Sequence, residues 1–110
     1  MKKASFEITE IKADGQIFKP TLPVNVIANY YQDAGHGWIA VNLTTLRSLG
    51  LADKITQYSY EKGGTVYLEE DCDATLFKKT LEATGAKLVL FEVDHGNNSP
   101  IRNYGRYGVV

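Results

Sequence analysis

Residues 56–93 read TQYSYEKGGTVYLEEDCDATLFKKTLEATGAKLVLFEV, and this stretch decides the fold. Thr56 to Tyr60 and Thr65 to Glu69 are rich in β-branched and aromatic residues. They flank Glu61-Lys62-Gly63-Gly64, which predicts a β-hairpin with glycines where a tight turn needs positive φ. A helix follows. Asp71 or Asp73 can cap it, Ala74, Phe77, Leu81 and Thr84 recur at helical spacing, and Gly85 falls where a helix stops. Lys87 to Val93 is then a strand, and its near-continuous apolar run predicts a central position with both faces buried.

Working back toward the N-terminus, Val24 to Tyr31 and Trp38 to Val41 are two further strands. The glycine-bearing segment Asp33-Ala34-Gly35-His36-Gly37 between them predicts a second hairpin. Leu43, Leu46 and Leu49 share one face of a short helix that Asn42 or Thr44 can cap and Gly50 can end. Ala4 to Lys12 alternates as a half-buried strand, Asp14-Gly15 is a turn, and Pro20 and Pro23 keep their neighbourhood out of helix. Toward the C-terminus, His95 to Pro100 is a loop and Ile101 to Tyr107 a last strand. Hairpins dominate this order, so the expected fold is a single α+β domain over residues 1–110, a largely antiparallel or mixed sheet with two helices packed on it.

Composition narrows the function classes. The 110 residues are 44% hydrophobic and 23% charged, ordinary for a folded chain and far from a disordered or coiled-coil one. The formal net charge of −1 argues against binding nucleic acid through a wholesale positive field. The single cysteine cannot form an internal disulfide, which favours a reducing compartment and a cytoplasmic location. No uninterrupted apolar run is longer than the four residues Leu88 to Phe91, far below the ~20 residues of a spanning helix, so no membrane partner is expected.

Four groups of residues carry candidate chemistry. Arg102, Tyr104, Arg106 and Tyr107 interleave guanidinium and aromatic groups, a pairing suited to single-stranded nucleic acid or an acidic protein surface. The same alternation also suits an edge strand protected by charge. His36 and Trp38, in Gly35-His36-Gly37-Trp38, could hold a base or an aromatic partner. They read equally as a turn whose tryptophan anchors the next strand. Tyr58, Tyr60 and Tyr67 form a cross-strand tyrosine ladder, which if exposed makes a recognition surface. The fourth group is acidic. Glu70, Asp71 and Asp73, with His95, could hold a divalent metal in a small metal-dependent enzyme. Negative side chains ahead of a helix also complement its dipole, and no defined metal-ligand spacing occurs. Cys72 among these carboxylates reads as a structural, at least half-buried thiol. Nucleophile motifs and a glycine-rich phosphate loop are missing from the sequence, and no cofactor is implied.

Gly35-His36-Gly37-Trp38, Leu46 to Gly50, Tyr58-Ser59-Tyr60 and Val66 to Asp73 together resemble small uncharacterised bacterial proteins of plasmids, phages and genomic islands, over about residues 35 to 107. The resemblance implies a bacterial accessory protein and carries no activity with it. The expected function is therefore contact with a protein or nucleic-acid partner, with modulation of host defence as one form of it. The alternatives are the metal-dependent enzyme and a homo-oligomer joined through an exposed strand edge.

Overall fold

The computed structural model describes residues 25–108. The expected strand at 4–12 and the turn after it lie outside them. The architecture is α+β. β1 (Asn25–Gln32) and β2 (Gly37–Asn42) form the first hairpin, and α1 (Leu43–Ser48) follows at once. β3 (Tyr60–Lys62) and β4 (Thr65–Glu69) form the second hairpin, then come α2 (Asp73–Glu82) and β5 (Lys87–Asp94). A 3-10 turn (Pro100–Asn103) leads into β6 (Gly105–Arg106). The described strands make one six-stranded sheet in the order β5-β1-β2-β4-β3-β6. Only β1 and β5 pair in parallel; the other neighbours are antiparallel.

Both turn glycines of the second hairpin take positive φ, Gly63 at 59° and Gly64 at 84°. Two consecutive residues in that region give the tight turn whose twist matches the flanking strands. Residues 70–86, with α2 at their centre, carry the chain from β4 over β2 and β1 to β5, a crossover that a hairpin could not make.

Alternation along each strand sorts the sheet into two unlike faces. Register pairs Ile39 with Leu68 and Val41 with Val66, and with Val26 and Leu88 these residues face the helices. There Leu46 of α1 and Ala74, Phe77 and Leu81 of α2 close the core with Leu49, Leu51 and Ile55. Phe77, Leu46, Leu68, Leu81 and Val66 are all fully buried. The opposite face is aromatic. Tyr31 lies opposite Trp38, Trp38 opposite Glu69, and Tyr67 opposite Tyr60. Among the described residues no α-helix covers this face. Residues 95–106 cross it instead, from the β5 edge to the β3 edge.

Four local expectations are corrected. β5 is an edge strand among the described residues, with Val89, Leu90 and Phe91 exposed. An apolar run states that burial is wanted without stating what supplies it. The strand expected from Thr56 shortens to Tyr60–Lys62, because Thr56 and Ser59 are drawn to Asp73 instead of a ladder. The strand expected over 101–107 shrinks to Gly105–Arg106, because Ser99 accepts from the Ile101 N–H and winds Pro100–Asn103 into a 3-10 turn. α2 has Cys72 in its N-cap position with no side-chain cap, and Asp73 faces away from the helix end.

Candidate recognition recess

The site is built where the turn before β2, the 56–60 loop and the crossing strap meet. Its base is Trp38, only 2% exposed. Tyr60 meets the indole edge-on at 6.3 Å between ring centroids, and His36 lies tilted at 6.2 Å. Over the indole stands the Arg102 guanidinium, 5.5 Å from its centroid. Over the Tyr60 ring stands the Arg106 guanidinium, at 5.2 Å.

Arg102 is fixed by a two-pronged ion pair. Its Nε donates to Asp33 Oδ2 at 2.6 Å and its Nη2 to Asp33 Oδ1 at 2.9 Å. The same carboxylate accepts from the backbone N–H groups of Gly35, His36 and Ser99. Five donors on one carboxylate, Arg102 foremost, hold its pKa well below the usual range. The Asp33 side chain is fully covered, so the turn and the strap are joined across the molecule. A Cβ on Gly35 would lie 2.9 Å from Arg102 Nη2, and one on Gly37 would overlap the Tyr30 hydroxyl. The two glycines flanking His36 therefore make room for this chain's own side chains.

Tyr30, thus seated across Gly37, donates to Glu70 Oε1 at 2.8 Å. Burial, with the Glu70 bond second, pushes its phenol up to about 12. Glu70 Oε2 also lies 4.0 Å from His36 Nδ1. The buried Asp73 accepts from the Thr56 N–H, the Thr56 hydroxyl at 2.7 Å and the Ser59 hydroxyl at 2.6 Å, all on Oδ2. Ser59 Oγ in turn accepts from the Glu69 N–H. This network sets the loop that presents Tyr58, the most exposed large hydrophobic side chain described at 66%.

The result is a recess of about 450 Å³ lined by His36, Trp38, Tyr58, Tyr60, Glu69, Asp71, Cys72, Arg102 and Arg106. That volume falls within the range typical of ligand pockets. Its charges divide into two uncompensated groups. Arg106 donates only to the Gln57 carbonyl, and no described carboxylate lies within ion-pair distance of it. Glu69 and Asp71 face no described cation within that distance. Burial first, and Asp71 beside it, push the Glu69 carboxyl up.

The structure brings together four of the six partner-binding candidates, His36, Trp38, Arg102 and Arg106. Tyr104 lies apart, packed on Tyr67 at 5.2 Å with Lys62 Nζ over its ring at 4.7 Å. Tyr107 donates its hydroxyl to the Ala52 carbonyl and anchors the end of the strap. The alternative metal set disperses. Asp73 belongs to Thr56 and Ser59, Glu70 to Tyr30, and His95 stacks on Tyr31 at 4.8 Å while bonding Ser99. Among the described residues no three His, Cys, Asp or Glu side chains group to hold a metal. Cys72 is exposed and lines the recess, against the expectation of a structural thiol, because the chain turns outward there to enter α2. Glu69 was legible only as part of an acidic run, and its place beside Asp71 in the recess had no separate signal. No described helix is long and apolar enough to cross a membrane. No family model, curated protein or solved structure matched the chain when compared with it.

Proposed function

We propose that this protein acts by contact, holding a protein partner through the recess around Trp38, Tyr58 and Arg106. The observation that carries this reading is the convergence of one tryptophan, two tyrosines and two arginines on one concavity. Trp, Tyr and Arg are the residue types that dominate binding energy at protein interfaces, and they do so where a pocket excludes water. Tyr58 is exposed on a loop held by buried hydrogen bonds, so little ordering entropy remains to oppose binding. A protein partner is favoured over nucleic acid because Arg102 is already neutralised by Asp33 and the recess adds Glu69 and Asp71. Phosphate chains are held by uncompensated cations. The resemblance to proteins of plasmids, phages and genomic islands adds only an accessory role, and modulation of host defence is one form that a contact function would take.

The test is comparative capture from a bacterial lysate with the full chain and its Tyr58→Ala/Arg106→Glu variant. Both residues are exposed, and circular dichroism and the urea midpoint establish that the variant is folded before capture is compared. Partners held by the wild type are expected to be lost from the variant. Identical retained sets would reject the recess as the contact surface.

A second reading, homo-oligomerisation, rests on β5, whose outer edge ends the described sheet with Val89, Leu90 and Phe91 exposed. Unpaired strand edges template pairing with another chain. Light scattering at two concentrations tests it: a strict monomer at both removes this reading.

A further inference from the structure

We infer that the recess recognises a dipolar segment of its protein partner, seating a basic side chain against Glu69 and Asp71 and an acidic side chain against Arg106. The inference rests on the contact reading above and adds the partner's chemistry.

The argument is electrostatic and geometric. Arg106 and the Glu69–Asp71 pair line one recess, yet no ion pair joins them. Arg106 is engaged on its own side, its Nη1 donating to the Gln57 carbonyl and its guanidinium lying over the Tyr60 ring. The half-buried Glu69 carboxylate and the exposed Asp71 carboxylate line the same recess, and like charges side by side favour a cation between them. A guanidinium or ammonium from outside would supply that cation, with the exposed Tyr58 ring available to cover its apolar stem. A carboxylate on the same partner segment would meet Arg106 in a charge-assisted hydrogen bond. A purely anionic ligand would meet Glu69 and Asp71, and a purely cationic one would meet Arg106 and Arg102. Either charge alone leaves one side of the recess unsatisfied.

The sequence supplies two reporters. Trp38 is the single tryptophan and Cys72 the single cysteine, and both line the recess. Full-length protein would be titrated with four end-blocked pentapeptides: Gly-Arg-Gly-Glu-Gly, and versions with glutamine replacing the arginine, the glutamate or both. Trp38 fluorescence and the rate of Cys72 alkylation are read together. The dipolar peptide is expected to bind about tenfold or more tightly than either singly charged one. Glu69→Gln should erase the preference for arginine and leave that for glutamate, and Arg106→Gln should do the reverse. Four indistinguishable peptides, or none that protects Cys72 at millimolar concentration, would overturn the inference. So would a dodecameric oligothymidylate that protects Cys72 at lower concentration with a steep salt dependence, which would place a nucleic acid in the recess. The capture experiment separates the two failures. If capture still depends on Tyr58 while the peptides are indistinguishable, the contact reading stands and the dipolar one falls.

Discussion

Replacing Asp73 with alanine tests whether the acid at the start of α2 serves the fold. Asp73 is 1% exposed, and its Oδ2 accepts from the Thr56 N–H at 3.0 Å, the Thr56 hydroxyl at 2.7 Å and the Ser59 hydroxyl at 2.6 Å. Alanine strands all three donors. Thr56 is half-buried and regains water for part of its loss, whereas Ser59 is 0% exposed and cannot. An unsatisfied buried donor costs about 1–3 kcal/mol, and hydrogen bonds to charged groups are worth about 1.5–3 kcal/mol each. Allowing for shared geometry and partial rehydration, the expected loss is about 3–5 kcal/mol, a large part of the stability of a typical domain. Asp73→Asn keeps an acceptor oxygen in place and should cost about 1–2 kcal/mol. Urea unfolding followed by Trp38 fluorescence measures both, and with an m-value of about 1–3 kcal/mol/M the alanine midpoint falls by more than about 1 M. Because the same bonds set the loop that carries Tyr58, Cys72 alkylation should quicken in the alanine variant below its midpoint. An alanine variant within about 1 kcal/mol of wild type would refute the reasoning. A wild-type midpoint raised by millimolar Mg²⁺ or Mn²⁺ and lowered by chelator would return Asp73 to the role of a ligand.

Three further outcomes follow from the same geometry. Gly37→Ala must expel the Tyr30 ring and break its bond to Glu70, so it should cost about 2–4 kcal/mol in urea unfolding; a Tyr30→Phe background should shrink that cost. The depressed Asp33 carboxyl contributes stability that is complete above its ordinary pKa near 4 and is lost as pH falls below it. The urea midpoint of the wild type should therefore drop on acidification more steeply than that of Arg102→Gln, and parallel curves would dismiss the pair as a stability determinant. The Tyr30 phenol, held up to about 12, stays protonated in the fold where the unfolded chain ionises near 10. Stability should fall as pH rises from about 10 to 12, and Tyr30→Phe should flatten that limb.

Local chemistry explains which parts of this architecture were readable in the sequence. The Gly63-Gly64 hairpin, the first hairpin around residues 33–36 and the apolar face of α2 each depend on residues within one or two turns of one another. Their signals were correspondingly strong. What failed depends on partners far along the chain. Asp33 reads as a turn residue because two of its bonds are local, yet its decisive partner is Arg102, 69 positions away. Asp73 reads as a cap because acids favour helix starts, yet the two hydroxyls of the 56–59 loop outcompete the helix end for it. The glycines around His36 read as turn formers, yet they are thinned for Tyr30 and Arg102. In each case a residue with an adequate local explanation is held by a distant group, and those distant groups assemble the recess. The strap that brings Arg102 and Arg106 over Trp38 and Tyr60 is tied down by Asp33 at one end and by Tyr107 at the other. The arginine–tyrosine alternation was visible in the sequence, whereas the surface it completes depends on contacts to residues 33 and 52, and this is why four of the six partner-binding candidates converge while Tyr104 and Tyr107 serve to fix the strap.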